Sequence, residues 1–144
     1  MVDYAIELEI ALPCAPEAAF RAWTAPEEVT AWWGEAGVYR TTGWSADLRT
    51  GGGWRADFAG DSGEPFSAEG RYLTVSVPDR LVWTWSASWS PEAENTIDMR
   101  FEAADGGTLL RLRNFGFADA AEASDAQEGW LQITGWLRDH LRAG

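Results

Sequence analysis

Arg80-Leu-Val-Trp-Thr-Trp-Ser-Ala-Ser-Trp89 is the stretch whose reading decides the fold. Leu81, Trp83, Trp85, Ala87 and Trp89 share one parity, and Thr84, Ser86 and Ser88 occupy the other. Alternation with a period of two marks a strand with one buried face. Three indoles on that face require something large opposite them, a helix, a ligand or both. The chain holds 10 Trp in 144 residues. Each can bury roughly 150–250 Å², so together they dominate either a core or a cavity wall.

Working outward, the same alternation recurs. Asn95 to Ala103 sets Ile97, Met99 and Phe101 against Asp98, Arg100 and Glu102. Asp105-Gly106-Gly107 is a tight hairpin signal, and Thr108 to Asn114 returns with Leu110 and Leu112 inward, Arg111 and Arg113 outward. The outward arginines can face Asp98 and Glu102, which registers the hairpin at roughly 0.2–1 kcal/mol per pair. Before the tryptophan strand, Pro78-Asp79 makes a turn. Phe66 to Val77 reads as a strand whose parity stays open because Gly70 is a candidate bulge. Trp54, Ala56 and Phe58 alternate with Arg55 and Asp57. Gly51-Gly52-Gly53 separates them from a strand over Val38 to Arg49, with Trp44 and Leu48 on one parity.

At the N-terminus, Val2, Tyr4, Ile6, Leu8, Ile10 and Leu12 form the inner parity of a further strand. Pro16 suits a first helical turn, and Ala19, Phe20 and Trp23 follow at helical spacing. Thr24-Ala-Pro-Glu27 reads as a capping box opening a second short helix. Its inner face is Val29, Trp32 and Trp33, and Gly34 ends it. After a loop over 117–123, Ser124-Asp-Ala-Gln127 reads as another capping box, opening a helix to about Leu141. Trp130, Ile133, Leu137 and Leu141 are its buried stripe, flanked by Trp136 and His140. Gly129 and Gly135 each cost that helix roughly 1 kcal/mol against Ala, which predicts close approach to the sheet or a ligand. Strands segregated from helices predict an α+β fold: about seven antiparallel strands in the order β-α-α-β6-α, curled around the last helix. Residues 1–144 are expected to form a single domain.

The net charge of −12, with every one of the 11 basic residues an arginine, argues against nucleic acid and anionic membranes. No apolar run approaches a membrane span, and Met1-Val-Asp-Tyr-Ala5 lacks the pattern of a signal peptide. A soluble cytoplasmic protein, monomer or homodimer, is expected. Cys14 is alone, so no internal disulfide or cysteine metal cluster can form. With His140 the only histidine, no Ser-His-Asp set is available. Gly51-Gly52-Gly53 precedes no helix and lacks the lysine of a phosphate loop. The inward parities carry no Asp or Glu, which speaks against acid–base hydrolysis. The residues therefore point to no catalytic group, metal or cofactor.

Thr24-Ala-Pro-Glu-Glu28 before Trp32-Trp33, Asp47-Leu-Arg-Thr-Gly-Gly-Gly-Trp54, Gly70 with Pro78-Asp-Arg-Leu-Val-Trp-Thr-Trp85, Gly107-Thr-Leu-Leu-Arg-Leu112 and Gly129-Trp130 occur in this order. With them the chain resembles the START-like superfamily of helix-grip domains (SRPBCC, birch-pollen-allergen-like). Within it, the chain is similar to bacterial relatives of the activator of the heat-shock-protein ATPase. The resemblance implies a hydrophobic cavity between curved sheet and last helix, which in this superfamily often holds lipids or polycyclic molecules. It also implies possible roles as an aromatase/cyclase or a chaperone co-factor. The eukaryotic activators carry a separate N-terminal domain that is absent from this sequence, so chaperone activity is not carried over.

The candidate wall of that cavity is Trp54, Phe58, Trp83, Trp85 and Trp130, with Trp32 and Trp33 at its mouth. Trp44, Tyr72, Phe115 and Ile133 complete the candidate ligand-binding set. Tyr72, Arg40 and Asn114 are the candidate polar groups among the indoles, the alternative for each being a place facing water. The plainer alternative is a core filled by its own tryptophans. Three roles follow: a non-catalytic carrier or sensor of a hydrophobic, aromatic small molecule or lipid; a cyclase or dehydratase using Tyr72, Arg40 or an acid; or a protein-interaction domain presenting Trp89 and Trp44 on its surface.

Overall fold

A computed structural model of the chain describes residues 4–143. The elements are β1 (Tyr4–Leu12), α1 (Pro16–Thr24), α2 (Pro26–Trp32), β2 (Gly34–Glu35), β3 (Tyr39–Ala46), β4 (Gly53–Gly60), β5 (Pro65–Ser76), β6 (Arg80–Ala87), β7 (Ser90–Ala104), β8 (Gly107–Phe117) and α3 (Ala120–Ala143). The strands form one antiparallel sheet of eight in the order β1-β8-β7-β6-β5-β4-β3-β2. The α+β architecture is as expected, with one strand more. The eighth is β2, two residues folded back onto Tyr39 and Arg40, too short for any periodicity to announce it. Val2, expected in the first strand, lies outside the described residues.

The alternation holds through β1, β4 and β7. Ile6, Ile10, Leu12, Trp54, Ala56, Phe58, Ile97, Met99 and Phe101 are buried on the inner face. In β3, Trp44 is buried, but Leu48 lies past the strand end and is 40% exposed. The irregularity in β5 falls between Tyr72 and Thr74 rather than at Gly70. Leu73 is the extra residue and points outward, so Tyr72 and Val75 both face the core despite opposite parity. Gly70 has a different purpose. It pairs with Trp54 across the ladder, and Trp54 Nε1 donates to the Thr84 carbonyl on β6 at 2.9 Å. A Cβ on Gly70 would collide with that same carbonyl.

Neither expected capping box forms. Thr24 Oγ1 donates to the Phe20 carbonyl inside α1 at 2.9 Å, and α2 starts from Ala25 with Pro26 in its first turn. The last helix begins four residues before Ser124. Asp119 Oδ1 accepts from the Glu122 amide at 2.9 Å, and Glu122 Oε2 reaches back to the Ala118 amide at 2.7 Å. These two bonds satisfy amides at the helix start that otherwise lack partners.

On the outer face, Arg111 bonds Glu102 at 3.1 Å, Arg80 bonds Asp98 at 2.9 Å and Arg113 lies 3.6 Å from Glu7. Inside the curl, α1, α2 and α3 cover the sheet.

Candidate functional site

The hollow between sheet and helices is closed at one end by aromatic rings. Trp33 lies parallel to Trp32 at 5.4 Å and to Trp85 at 6.1 Å. Trp44 stacks on Trp54 at 5.2 Å, and Trp83 meets Trp54 edge-on at 5.0 Å. Trp23 joins from α1, edge-on to Trp32 at 5.0 Å. Such offset and edge-on pairs add about 0.5–1.5 kcal/mol each to the burial of the rings. Trp32, Trp33, Trp44, Trp54, Phe58, Tyr72 and Trp83 are all at most 8% exposed. They are therefore core. Trp32 and Trp33, expected at a cavity mouth, are among the deepest side chains.

Three of the indole donors find acceptors in this core. Trp32 Nε1 bonds the Ala22 carbonyl at 2.7 Å, Trp33 Nε1 the Tyr39 hydroxyl at 3.1 Å, and Trp54 Nε1 the Thr84 carbonyl. Trp23 Nε1, Trp44 Nε1, Trp83 Nε1 and the Tyr72 hydroxyl are buried without a partner among the described residues. Burial pushes the Tyr72 phenol well above the ordinary tyrosine range. Burial also raises Tyr39, offset in part by the bond from Trp33. Tyr72 is thus a neutral hydroxyl inside packed rings. Arg40, the other candidate for a polar group, is exposed on β3.

At the other end the packing stops short and leaves an apolar cavity of about 200 Å³. Trp85 and Trp89 bound it from the end of β6 and the turn that follows; Asn95, Asn114 and Phe117 come from β7 and β8. The helix side is Ala126, Gly129, Trp130 and Ile133. Of the expected site residues, Trp85, Trp130 and Ile133 line this space, as does Asn114. Phe115 does not. It lies on the outer face, where the Arg113 guanidinium sits 4.5 Å from its ring centre. Phe115 keeps the outward parity of Arg111 and Arg113, and the phase changes only after it, at Gly116, with φ +96°. The pairing with β1 skips Gly116, so Phe117 lines the cavity although it shares the sequence parity of Phe115. A glycine between two phenylalanines in an alternating strand was the available signal.

Trp89 is also displaced from its expected place. The strand ends at Ala87, and Trp89 stands in the turn, 66% exposed, edge-on to Phe66 at 5.7 Å. Apart from the backbone of their own helix and their chain neighbours, Gly129 and Gly135 have no atom of the described residues within 4 Å of where a Cβ would be. The expected close approach does not occur. Gly129 instead leaves room, as part of the cavity wall.

A polar relay crosses this site. Trp130 Nε1 donates to Asn114 Oδ1 at 2.8 Å. Asn114 Nδ2 donates to the Thr96 carbonyl at 2.8 Å and to Asn95 Oδ1 at 2.7 Å. Asn114 is 2% exposed, so this satisfied amide holds α3 against β7 and β8. No titratable side chain is among those lining the cavity. Other depressions are larger, about 520 Å³ around Arg100 and Arg111 and about 790 Å³ beside Pro78. Their linings carry Glu, Asp and Arg side chains, which a hydrophobic molecule would desolvate without compensation. Among the described residues no cluster of His, Cys, Asp or Glu is placed to hold a metal. None of the described helices is long and apolar enough to cross a membrane.

The architecture is shared with known structures. The AHSA1 protein from Silicibacter pomeroyi superposes with a TM-score of 0.83 at 22% identity, covering 97% of this chain and 99% of that one. The AHSA1-like protein from Aeromonas hydrophila gives 0.80 at 24%, covering 97% and 93%. A Rhodobacter sphaeroides protein gives 0.81 at 23%, covering 97% and 93%. At such identities the likeness speaks for the fold. No curated protein matches the sequence significantly. Residues 13–142 match the family described as Activator of Hsp90 ATPase homolog 1-like protein, and the chain belongs to that family.

Proposed function

We propose that the chain binds a small planar aromatic molecule in the cavity between α3 and the ends of β6 to β8, as a carrier or sensor. The observation that carries this reading is the apolar space of about 200 Å³ with Trp85, Phe117, Trp130 and Ile133 on its walls and Trp89 at its rim. An apolar cavity of about 150 Å³ is enough to take up benzene. Sites for drug-sized ligands run from about 300 to 1,000 Å³. One ring, or two fused rings, fits between these bounds; a lipid chain or a polycycle does not. Affinity then comes from apolar burial at roughly 25 cal/mol per Å², less the cost of association.

The uncharged lining supports binding over proton transfer, since a cyclase or dehydratase needs an acid or base within reach of its substrate. The protein-interaction alternative needed Trp44 and Trp89 together on the surface. Trp44 is only 8% exposed and stacked on Trp54, so that patch does not form. Titration with naphthalene, followed by tryptophan fluorescence and by thermal melting, tests the proposal. A saturable fluorescence change with a rise in melting temperature is expected. No change in either signal across a panel of one- and two-ring compounds would overturn it.

A further inference from the structure

The polar relay beside the cavity has a direction, and the direction selects a ligand. An indole N–H can only donate, so Asn114 must turn its oxygen toward Trp130 Nε1. A backbone carbonyl can only accept, so Asn114 Nδ2 must face the Thr96 oxygen. The second hydrogen of that amide then goes to Asn95, which has to answer with its oxygen. Donor and acceptor are thereby assigned at both asparagines by their neighbours. The relay ends on Asn95 Nδ2, which makes no bond among the described residues. Asn95 lines the cavity and is cross-strand partner to Trp85. Every other side-chain N–H on the relay is spent.

We infer that the cavity selects aromatic molecules carrying a hydrogen-bond acceptor, a ring ketone or an ether oxygen, which Asn95 Nδ2 binds while Trp85 and Trp130 hold the ring. This rests on the proposed binding role and narrows it. A hydrocarbon leaves the amide unpaired on losing its water, and a donor-only ring such as indole meets an N–H with an N–H. Both are disfavoured, because a buried polar group without a partner costs more than a formed bond returns.

The test compares 1-indanone, indane and indole, which share one bicyclic shape and differ in acceptor, neither, and donor. Dissociation constants are measured by fluorescence titration for the wild type and for Asn95→Leu. Comparing the ratio of indanone to indane affinity between wild type and variant cancels the hydration difference between the ligands, and the ratio is expected to fall about 2- to 10-fold in the variant. In the wild type, indanone is expected to bind more tightly than indole. Asn95→Asp at pH 8 keeps the acceptor for Asn114 and removes the free donor, so it gives the same fall if the leucine variant does not fold. An unchanged ratio, with all three compounds still binding, overturns the choice of acceptor and leaves the binding role standing. No binding by any of the three overturns both.

Discussion

Replacing Gly129 separates the cavity from the rest of the fold. A glycine inside a helix costs about 0.8–1.0 kcal/mol against alanine, and no atom of the described residues beyond its own helical turn lies within 4 Å of the position its Cβ would take. Gly129→Ala should therefore stabilise the protein by about 1 kcal/mol, which for a domain of this size raises the melting temperature by about 3 °C. Gly135→Ala should do the same, since its surroundings are equally open. The two sites differ in what they face. Gly129 lines the cavity of about 200 Å³, and Gly135 does not. Gly129→Leu places a four-carbon side chain in that space and should weaken naphthalene binding at least tenfold, while Gly135→Ala leaves it unchanged. Melting curves and fluorescence titrations on the three variants read both effects. Wild-type affinity in Gly129→Leu, with the variant folded, would refute the location of the site. A loss of stability in either alanine variant would refute the reading of the space beside the helix.

Other substitutions probe the surrounding structure. Asn114→Leu removes the acceptor for Trp130 and two donated bonds; it should cost about 2–3 kcal/mol in urea unfolding. Phe117→Ala should weaken aromatic binding several-fold, whereas Phe115→Ala should leave binding intact and lose only its stacking under Arg113, about 0.5–1 kcal/mol. Tyr72→Phe removes a buried hydroxyl that has no partner, so stability should hold or rise by about 1 kcal/mol. The same variant changes the alkaline limb. Because the folded phenol is held above the unfolded value of about 10, the unfolded chain releases its proton first and stability falls as pH rises past about 10. Urea unfolding between pH 8 and 11 should show a shallower fall in Tyr72→Phe. It should not vanish, because burial shifts Tyr39 the same way.

Where burial is continuous along a strand, the alternation in the sequence was sufficient to place side chains. Ile97, Met99 and Phe101 in β7 and the inner residues of β4 and β1 face the core as their parity says. The helical stripe of Trp130, Ile133 and Leu137 was equally plain. Parity stops placing side chains where one residue changes the count. Leu73 shifts the phase of β5, and Gly116 shifts that of β8 and turns Phe117 inward; Phe115, with the parity of Arg111 and Arg113, stays outside. Parity does not report an added residue. Ser124 and Gln127 imitate a cap that Asp119 and Glu122 make, so the pattern sets the start of α3 too late. Trp89 continues the parity of its strand, yet the chain turns after Ala87. The division of the tryptophans into a packed set and a cavity set was invisible for a different reason. It depends on which rings meet across elements distant in sequence, as Trp33 meets Trp85 and Trp44 meets Trp54. Asn95 carried no signal at all, since its importance comes from the amide it faces.

The most direct test follows the indole N–H resonances of the 10 tryptophans in a two-dimensional ¹⁵N–¹H spectrum during titration with 1-indanone. The account predicts that Trp85, Trp89 and Trp130 shift in a saturable manner while Trp23, Trp32, Trp44 and Trp54 stay in place. Shifts centred on those packed indoles, or a spectrum that does not respond, would contradict it.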